Sequence, residues 1–359
     1  MPDQRIVPTE QVLPAGEFGE LIASPYFQEI YRLRQLVARS IREFLDSEGF
    51  IEFDPIMIAP STDPGVRGAL QFSIDYYGME YKITTSGIMY KQILASLMRE
   101  GKIYFFYPNV RGEPVEAAGT GRHLTEFVQV DVEVRHADHL EVMSLAEEIL
   151  QRVLDDLKGK EDSLRKIWEF FGSKRRTLPV IRRPLERITH REAVEICLEY
   201  SKREEVLEIM RKKFRLDKPD RKLSYEAELP WEWEWFLSQM KEAPFFIYEY
   251  PKPSRAFYYR EHPLKRGSLM DFDLLAPEGH GEIASGGARE YEADRIAGRI
   301  IESGEDPSKY SWFIELMRKF GKPSAGFGIG LERLLKYLCD VPHVMLTRPF
   351  PKIPGVWTP

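Results

Sequence analysis

The stretch from residue 103 to 134 carries side chains suited to binding a charged ligand. Its second half alternates valines with polar residues, so one face of the predicted strand is polar and holds a single aromatic ring, Phe127. Arg122 and His123 end the loop before this strand, and Arg111 lies on the polar face of the preceding strand. Guanidinium groups match phosphate oxygens and an exposed ring offers a stacking surface, so the pattern favours a phosphorylated purine. The alternative is an exposed hairpin stabilised by salt bridges.

A second pattern lies near the end of the chain, in "SAGFGIGLERLLKYL". Gly326, Gly328 and Gly330 share one strand face and leave it bare, so that a flat ligand or another backbone can approach closely. The pattern is not a dinucleotide fingerprint, because Leu331 stands where the third glycine belongs. Arg333 is unusual, because a cation in the first turn of a helix opposes the helix dipole. Tight packing between strand and helix, with a solvated arginine, is the alternative interpretation.

A lysine interrupts an apolar helical stripe. Lys91 lies at helical spacing from Ile88, Leu94 and Ala95. Burying an isolated ammonium group costs several kcal/mol, so the side chain either extends to solvent or pairs with an anion. Both possibilities remain open from the spacing alone.

Length and composition describe a globular protein. The 359 residues are 43% hydrophobic and 30% charged, enough for a core in one large or two ordinary domains. The net charge of −6 gives no overall attraction to nucleic acid. Cys197 and Cys339 lack C-x-x-C spacing, which favours a reducing, cytoplasmic location over a zinc site. The sequence shows no signal peptide and no apolar run of about 18 residues, so no membrane association is expected.

Periodicity predicts helices and strands that do not alternate as in a doubly wound fold, which favours the α+β class. Pro55 and Pro60 interrupt one predicted strand and place it at a sheet edge or a subunit boundary. Residues 158 to 225, rich in Lys, Arg and Glu, are interpreted as a helical insertion. The other predicted elements are a helix at 25–48, a helix begun by Ser86, two strands within 103–134, a helix near 139–157, strands between 245 and 285, and a strand–helix unit at 324–338.

Taken together, the motifs resemble those of class II aminoacyl-tRNA synthetases, within the aspartyl/asparaginyl branch. Gly49 to Pro55 is similar to motif 1, Arg111-Gly112-Glu113 with "RHLTEF" to motif 2, and "GFGIGLER" to motif 3. The resemblance covers roughly residues 24 to 353. It implies one catalytic domain over residues 1–359, an antiparallel sheet flanked by helices, and a homodimer formed through motif 1 at about 25–60.

The resemblance implies an ATP site. Phe127 and Arg333 would sandwich the adenine from opposite sides, as a stacking and cation–π arrangement. Arg111 would hold the α-phosphate and the carboxylate under attack, and so take part in catalysis with Arg333. Arg122 and His123 would hold the γ-phosphate.

Further residues complete this site by the same resemblance. Gly328 and Gly330 would form its floor, and Glu113 is the acid of the R-x-E motif. The segment "MDFDLLAPEGHGEIASGGARE" is similar to the family's metal-binding stretch, in which Asp273 and Glu282 would bind Mg²⁺ between ATP phosphates.

The resemblance also implies a binding site for an amino acid. Lys91 and Arg318 match positions that grip a substrate carboxylate in aspartyl enzymes, while Ser86, Asp63 and Arg289 would complete the pocket. Two cations favour aspartate over asparagine, whose neutral amide would leave them unpaired.

The position of motif 1 bears on the reaction. The predicted motif 1 helix begins at about residue 25, which leaves no room before it for the anticodon-binding domain of these enzymes. With a negative net charge as well, tRNA is not expected as a partner. The leading hypothesis is therefore ATP-dependent activation of L-aspartate to aspartyl-AMP, followed by attack of ammonia to give asparagine, AMP and diphosphate. The alternatives are an enzyme that charges a tRNA or a protein, and a non-catalytic amino-acid sensor.

Overall fold

The computed structural model describes residues 18–64, 69–214 and 223–355. The helices are α1 (Phe18–Ala23), α2 (Pro25–Ser47), α3 (Ile88–Leu97), α4 (His139–Leu157), α5 (Glu161–Phe170), α6 (His190–Tyr200), α7 (Glu204–Phe214), α8 (Trp231–Gln239), α9 (Ala293–Glu302), α10 (Ser311–Phe320) and α11 (Leu331–Cys339). The strands are β1 (Ile51–Glu52), β2 (Ile58–Ala59), β3 (Ser73–Tyr76), β4 (Met79–Ile83), β5 (Lys102–Val110), β6 (Glu126–Arg135), β7 (Glu186–Thr189), β8 (Phe245–Tyr248), β9 (Asp271–Ala276), β10 (Gly281–Ala288) and β11 (Ser324–Gly330).

Eight strands form one central sheet in the order β1-β5-β6-β11-β10-β9-β8-β7. The six inner strands pair antiparallel, whereas β1 and β7 join the two edges in parallel with β5 and β8. A separate small sheet has the order β2-β4-β3. The predicted α+β class is confirmed, with a mixed rather than purely antiparallel sheet.

One face of the sheet is covered by α2, α4, α5 and α11. Val130 and Val132 of β6 point into this layer and are fully buried, as the alternation in the sequence predicts. Ser24 caps α2 by accepting from the Phe27 amide, and Asp138 begins α4 with a capping box. The polar residues of β6 therefore face the opposite side of the sheet.

The opposite face is only partly covered. Helix α3 packs against β5 and β6, and α9 and α10 join it around a second apolar cluster that includes Phe257 and Phe313. The face between α3 and the strands β6, β10 and β11 carries the pocket described below. Across the described ranges, no helix is long and apolar enough to cross a membrane.

Two predicted segments differ from the structure. The stretch from 50 to 60 is not one strand: β1 pairs with β5 in the main sheet, β2 pairs with β4 in the small sheet, and Pro55 lies between them. Residues 158–225 contain α5, α6 and α7 but also β7, which extends the sheet beside β8. Charge-rich composition predicted the helices there, but it carries no signal for a four-residue edge strand.

The central glycine strand generates a prediction about stability. Replacing Gly326 with alanine should destabilise the fold by about 2 kcal/mol or more, because the added Cβ would lie 2.1 Å from the Val132 carbonyl oxygen. Gly298→Ala in α9 is the matched control, since nothing lies within 4 Å of its added Cβ and alanine favours a helix by about 1 kcal/mol. Urea unfolding measures both variants. Equal stabilities would show that this strand tolerates a side chain.

Candidate active site

The open face of the sheet forms a pocket lined by side chains from widely separated parts of the chain. All residues predicted for the site line this pocket except Arg318 and Asp273. Those that line it are Asp63, Ser86, Lys91, Arg111, Glu113, Arg122, His123, Phe127, Glu282, Arg289, Gly328, Gly330 and Arg333.

Two of the three glycines of β11 form part of the pocket. An added Cβ at Gly328 would lie 3.0 Å from Asp131 Oδ1, and one at Gly330 would lie 3.5 Å from Arg333 Cδ. Gly326 is bare for another reason, because its Cβ would collide with the β6 backbone and with Glu133. The alternation in sequence therefore predicts a bare strand face but does not separate ligand approach from backbone packing.

Phe127 and Arg333 lie at the nucleotide end predicted from sequence. The Arg111 guanidinium lies 5.0 Å from the centre of the Phe127 ring, and its Nε donates to the Thr85 carbonyl at 3.0 Å. Arg333 pairs with Glu282 at 3.0 Å and donates to the Arg122 carbonyl. These contacts orient Arg333 and compensate for its unfavourable place in the first turn of α11.

Helix α8 also contributes residues to this end of the pocket. The sequence did not predict these residues. Arg122 donates from Nη1 to Glu234 Oε2 at 3.1 Å, and both side chains are buried. The Trp231 ring lies 5.2 Å from that of His123, whose Nδ1 is 2.7 Å from Thr120 Oγ1. The available signal was "LPWEWEWF", in which a proline precedes alternating acids and tryptophans.

Lys91 is buried and does not extend to solvent. Its side chain is 3% exposed, and Nζ donates to Asp131 Oδ1 at 2.7 Å and to the Phe327 carbonyl at 3.2 Å. Asp131 Oδ2 is also buried and has no hydrogen-bond partner within the described ranges. The pocket therefore presents an ammonium donor and a carboxylate acceptor side by side.

A second buried ion pair lies beside the first. Arg289 donates from Nε to Glu133 Oε1 at 3.2 Å, and Ser324 donates to the same oxygen at 2.7 Å. Burial alone would lower the pKa of Arg289, but the attraction of Glu133 more than offsets this and raises the pKa. Glu133 also lies 3.9 Å from Lys91 Nζ, so the two acids balance the two cations.

Asp63 and Ser86 lie at the margin of the amino-acid end. Tyr258 donates its hydroxyl to Asp63 Oδ2 at 2.9 Å. Burial, with the Asp63 charge as a second cause, raises the pKa of Tyr258 well above its usual range. Ser86 accepts from the Ile88 amide at 3.3 Å, at the start of α3.

Asp273 lies behind the pocket wall. It is fully buried, and its Oδ2 accepts from Arg255 at 2.5 Å. Burial raises the pKa of Asp273, although Arg255 opposes the shift. Oxygen atoms of Asp273, Glu282 and Glu234 lie within 4.8 Å of one another, so the two acids predicted for a metal have a third beside them.

Arg318 is not part of the site. Its side chain is 60% exposed and pairs with Asp294 at 3.0 Å. Phe313, Ile314 and Met317 form the buried stripe of α10, so the helix turns position 318 towards solvent. Sequence position alone does not fix the direction of this side chain, which depends on how the helix packs.

The fold and the pocket agree with the family to which the sequence belongs. Residues 17–354 match the class II tRNA synthetases (D, K and N). The chain is therefore a member of this family, and the class II catalytic fold implied by its motifs is confirmed.

Particular relatives refine this assignment. The asparagine–tRNA ligase of Pyrococcus abyssi is 32% identical over 340 residues, which cover 93% of this chain and 70% of the relative. That of Sorangium cellulosum is 33% identical over 335 residues, covering 90% and 69%. The crystal structure of asparaginyl-tRNA synthetase from Pyrococcus horikoshii complexed with asparaginyl-adenylate superposes with a TM-score of 0.82 at 28% identity, covering 98% of this chain and 75% of that one.

These relatives correct two expectations. The prediction that tRNA is not a partner is wrong, because the proteins that match most of the chain are tRNA ligases. The leading hypothesis of ammonia-dependent asparagine synthesis is not supported by them, whereas the alternative of tRNA charging is supported. Net charge is a poor guide to this partner because it averages over the whole surface, while nucleic-acid contacts are local.

The position of Arg318 generates a prediction about binding. Arg318→Ala should change the affinity for the amino-acid substrate by less than about twofold, as expected for an exposed side chain. Arg295→Ala is the matched control, because Arg295 is 61% exposed and pairs with Glu292. Titration calorimetry with asparagine and with aspartate gives the affinities. A tenfold loss of affinity in Arg318→Ala but not in Arg295→Ala would show that Arg318 takes part in substrate binding.

Proposed function

We propose that the chain activates asparagine with ATP and transfers it to tRNA. In the first step an oxygen of the asparagine α-carboxylate attacks the α-phosphorus of ATP. The bond to the β-phosphate breaks, which gives asparaginyl-adenylate and diphosphate. In the second step a hydroxyl of the tRNA 3′ end attacks the activated carbonyl and releases AMP.

The nucleotide end of the pocket supports the first step. Arg111 is held by the Thr85 carbonyl, and in this proposal its guanidinium stabilises the negative charge that develops on the α-phosphate. Phe127 and Arg333 both line the pocket, and in this proposal they stack on the two faces of the adenine. Arg122 and His123, at the far end, bind the terminal phosphates in this proposal.

The carboxylates suit a magnesium ion that accompanies ATP. Asp273 and Glu282 supply oxygen ligands of the kind that Mg²⁺ prefers, and Asp273 Oδ1 is buried with no hydrogen-bond partner in the described part of the chain. A bound cation would neutralise charge on the phosphates. Glu282 meanwhile holds Arg333 in place.

The choice of asparagine rests on the charge of the amino-acid end. The sequence predicted two cations for an aspartate substrate, yet Lys91 is paired with Asp131 and Arg318 lies outside the pocket. A substrate carboxylate would therefore add an unbalanced charge to a buried neutral network. A carboxamide adds none: its oxygen can accept from Lys91 and its NH₂ can donate to Asp131 Oδ2.

We also propose a homodimer. The apolar stripe of α2 is buried within the chain, so only the other side of this helix is available for a contact. The small sheet and its approaches instead expose large apolar side chains, which suits a subunit interface. These are Met57, Leu70, Phe72, Tyr77 and Met79. The cytoplasmic location inferred from the cysteines stays a prediction.

Exchange and transfer assays test the proposed reaction. Asparagine should support ATP–diphosphate exchange at least about tenfold better than aspartate, because the neutral network penalises a second carboxylate. Total tRNA should then increase AMP release, and filter binding should detect asparaginyl-tRNA. Aspartate-dependent AMP release that requires ammonium instead of tRNA would contradict the proposal. Absence of exchange with either amino acid would contradict activation itself.

The pair of Lys91 and Asp131 yields a specificity prediction. Asp131→Asn should weaken asparagine use at least about tenfold and shift preference towards aspartate, because Lys91 then becomes an uncompensated cation. ATP affinity should stay within about twofold. The same substitution at Asp294, 94% exposed, is the control. Exchange kinetics with both amino acids measure the ratio, and thermal unfolding checks the fold. An unchanged ratio of asparagine to aspartate use would show that this ion pair does not select the substrate.

A further inference from the structure

Ion pairs are concentrated in the wall behind the proposed terminal-phosphate end. Among the described residues, three guanidinium groups pair with five carboxylates there. The pairs are Arg122 with Glu234, Arg333 with Glu282, and Arg255 with Glu228, Asp271 and Asp273. Buried carboxylates are costly unless cations balance them, so the partners of these acids matter.

Glu234 stands out among these acids. It comes from α8, more than a hundred residues after Arg122, and its side chain is 1% exposed. Its carboxylate belongs to the group with Asp273 and Glu282, whose oxygens lie within 4.8 Å of one another. Asp273 Oδ1, fully buried, has no hydrogen-bond partner within the described ranges. A buried acceptor oxygen without a partner, next to two further carboxylates, is the environment of a cation ligand.

We propose that Glu234 is a third protein ligand of the divalent cation that accompanies ATP, and that ATP and the cation bind by exchanging partners. This inference rests on the proposed function, which supplies the nucleotide. In the structure, arginines neutralise the acids of the group: Arg122 holds Glu234 and Arg333 holds Glu282.

The exchange follows from charge balance. The phosphates attract Arg122, and the movement of Arg122 towards them leaves Glu234 without its guanidinium. The cation then takes the place of Arg122 beside Glu234, Asp273 and Glu282. Binding of the nucleotide therefore raises the affinity for the cation, and by linkage the cation raises the affinity for the nucleotide by the same factor. Because Glu234 lies on α8, which also carries Trp231, a cation bound to Glu234 would in addition hold this helix against the pocket.

Metal binding in full-length protein tests this role directly. Mn²⁺, an oxygen-binding probe with an EPR signal, is titrated into wild type and Glu234→Gln, with and without a non-hydrolysable ATP analogue. Glu234→Gln should weaken Mn²⁺ binding at least about tenfold in both conditions. It should also reduce the coupling between nucleotide and Mn²⁺, while metal-free nucleotide binding is kept or improved because Arg122 is held less tightly.

Two variants separate this role from a structural one. Glu232→Gln, the same change on the same helix outside the three-acid group, should leave Mn²⁺ affinity within about twofold. Glu234→Asp keeps the charge and should fall between wild type and Glu234→Gln, which also guards against misfolding. Unchanged Mn²⁺ affinity in folded Glu234→Gln would overturn the inference while leaving the proposed function intact. Failure of wild type to bind the nucleotide would instead overturn the proposed function.

Discussion

The pocket depends on how the acids on the polar face of β6 are neutralised. Asp131 and Glu133 lie in the middle of the central sheet, where ionised carboxylates need nearby cations. Lys91 and Arg289 arrive from α3 and from the end of β10, so the position of both elements is fixed by the same electrostatic requirement. Removing one residue of either ion pair would leave a buried charge unpaired, which commonly costs about 3–5 kcal/mol.

The same requirement explains which residues of the site could be predicted from the sequence and which could not. The polar face of β6 that carries Phe127 and the glycine face of β11 both follow a period of two residues, and this period is visible in the sequence because it is local. Lys91 was recognisable as an exception within an apolar stripe, although its partner was not. Glu234 could not be found in this way, because its pairing with Arg122 exists only after distant segments have folded together.

Arg318 shows a residue that the sequence assigned to the site but the structure places outside it. Helical spacing places a residue on one side of its helix, but which neighbour that side meets depends on packing. The apolar stripe of α10 is satisfied by the core, so Arg318 is turned outwards to Asp294. The fold class and most residues that line the pocket were predicted from sequence, whereas the pairing of Lys91 with Asp131 was not. That difference moved the inferred substrate from aspartate to asparagine.

Gly328 and Asp131 are direct neighbours across β11 and β6. An added methyl group at Gly328 would meet Asp131 Oδ1 at 3.0 Å, the oxygen that holds Lys91. Substitutions that add a side chain to the pocket floor would therefore also disturb the ion pair that is proposed to select the substrate. Evolution towards a different amino-acid substrate would therefore require coordinated changes at Gly328 and Asp131, or changes at other positions that leave both residues as they are.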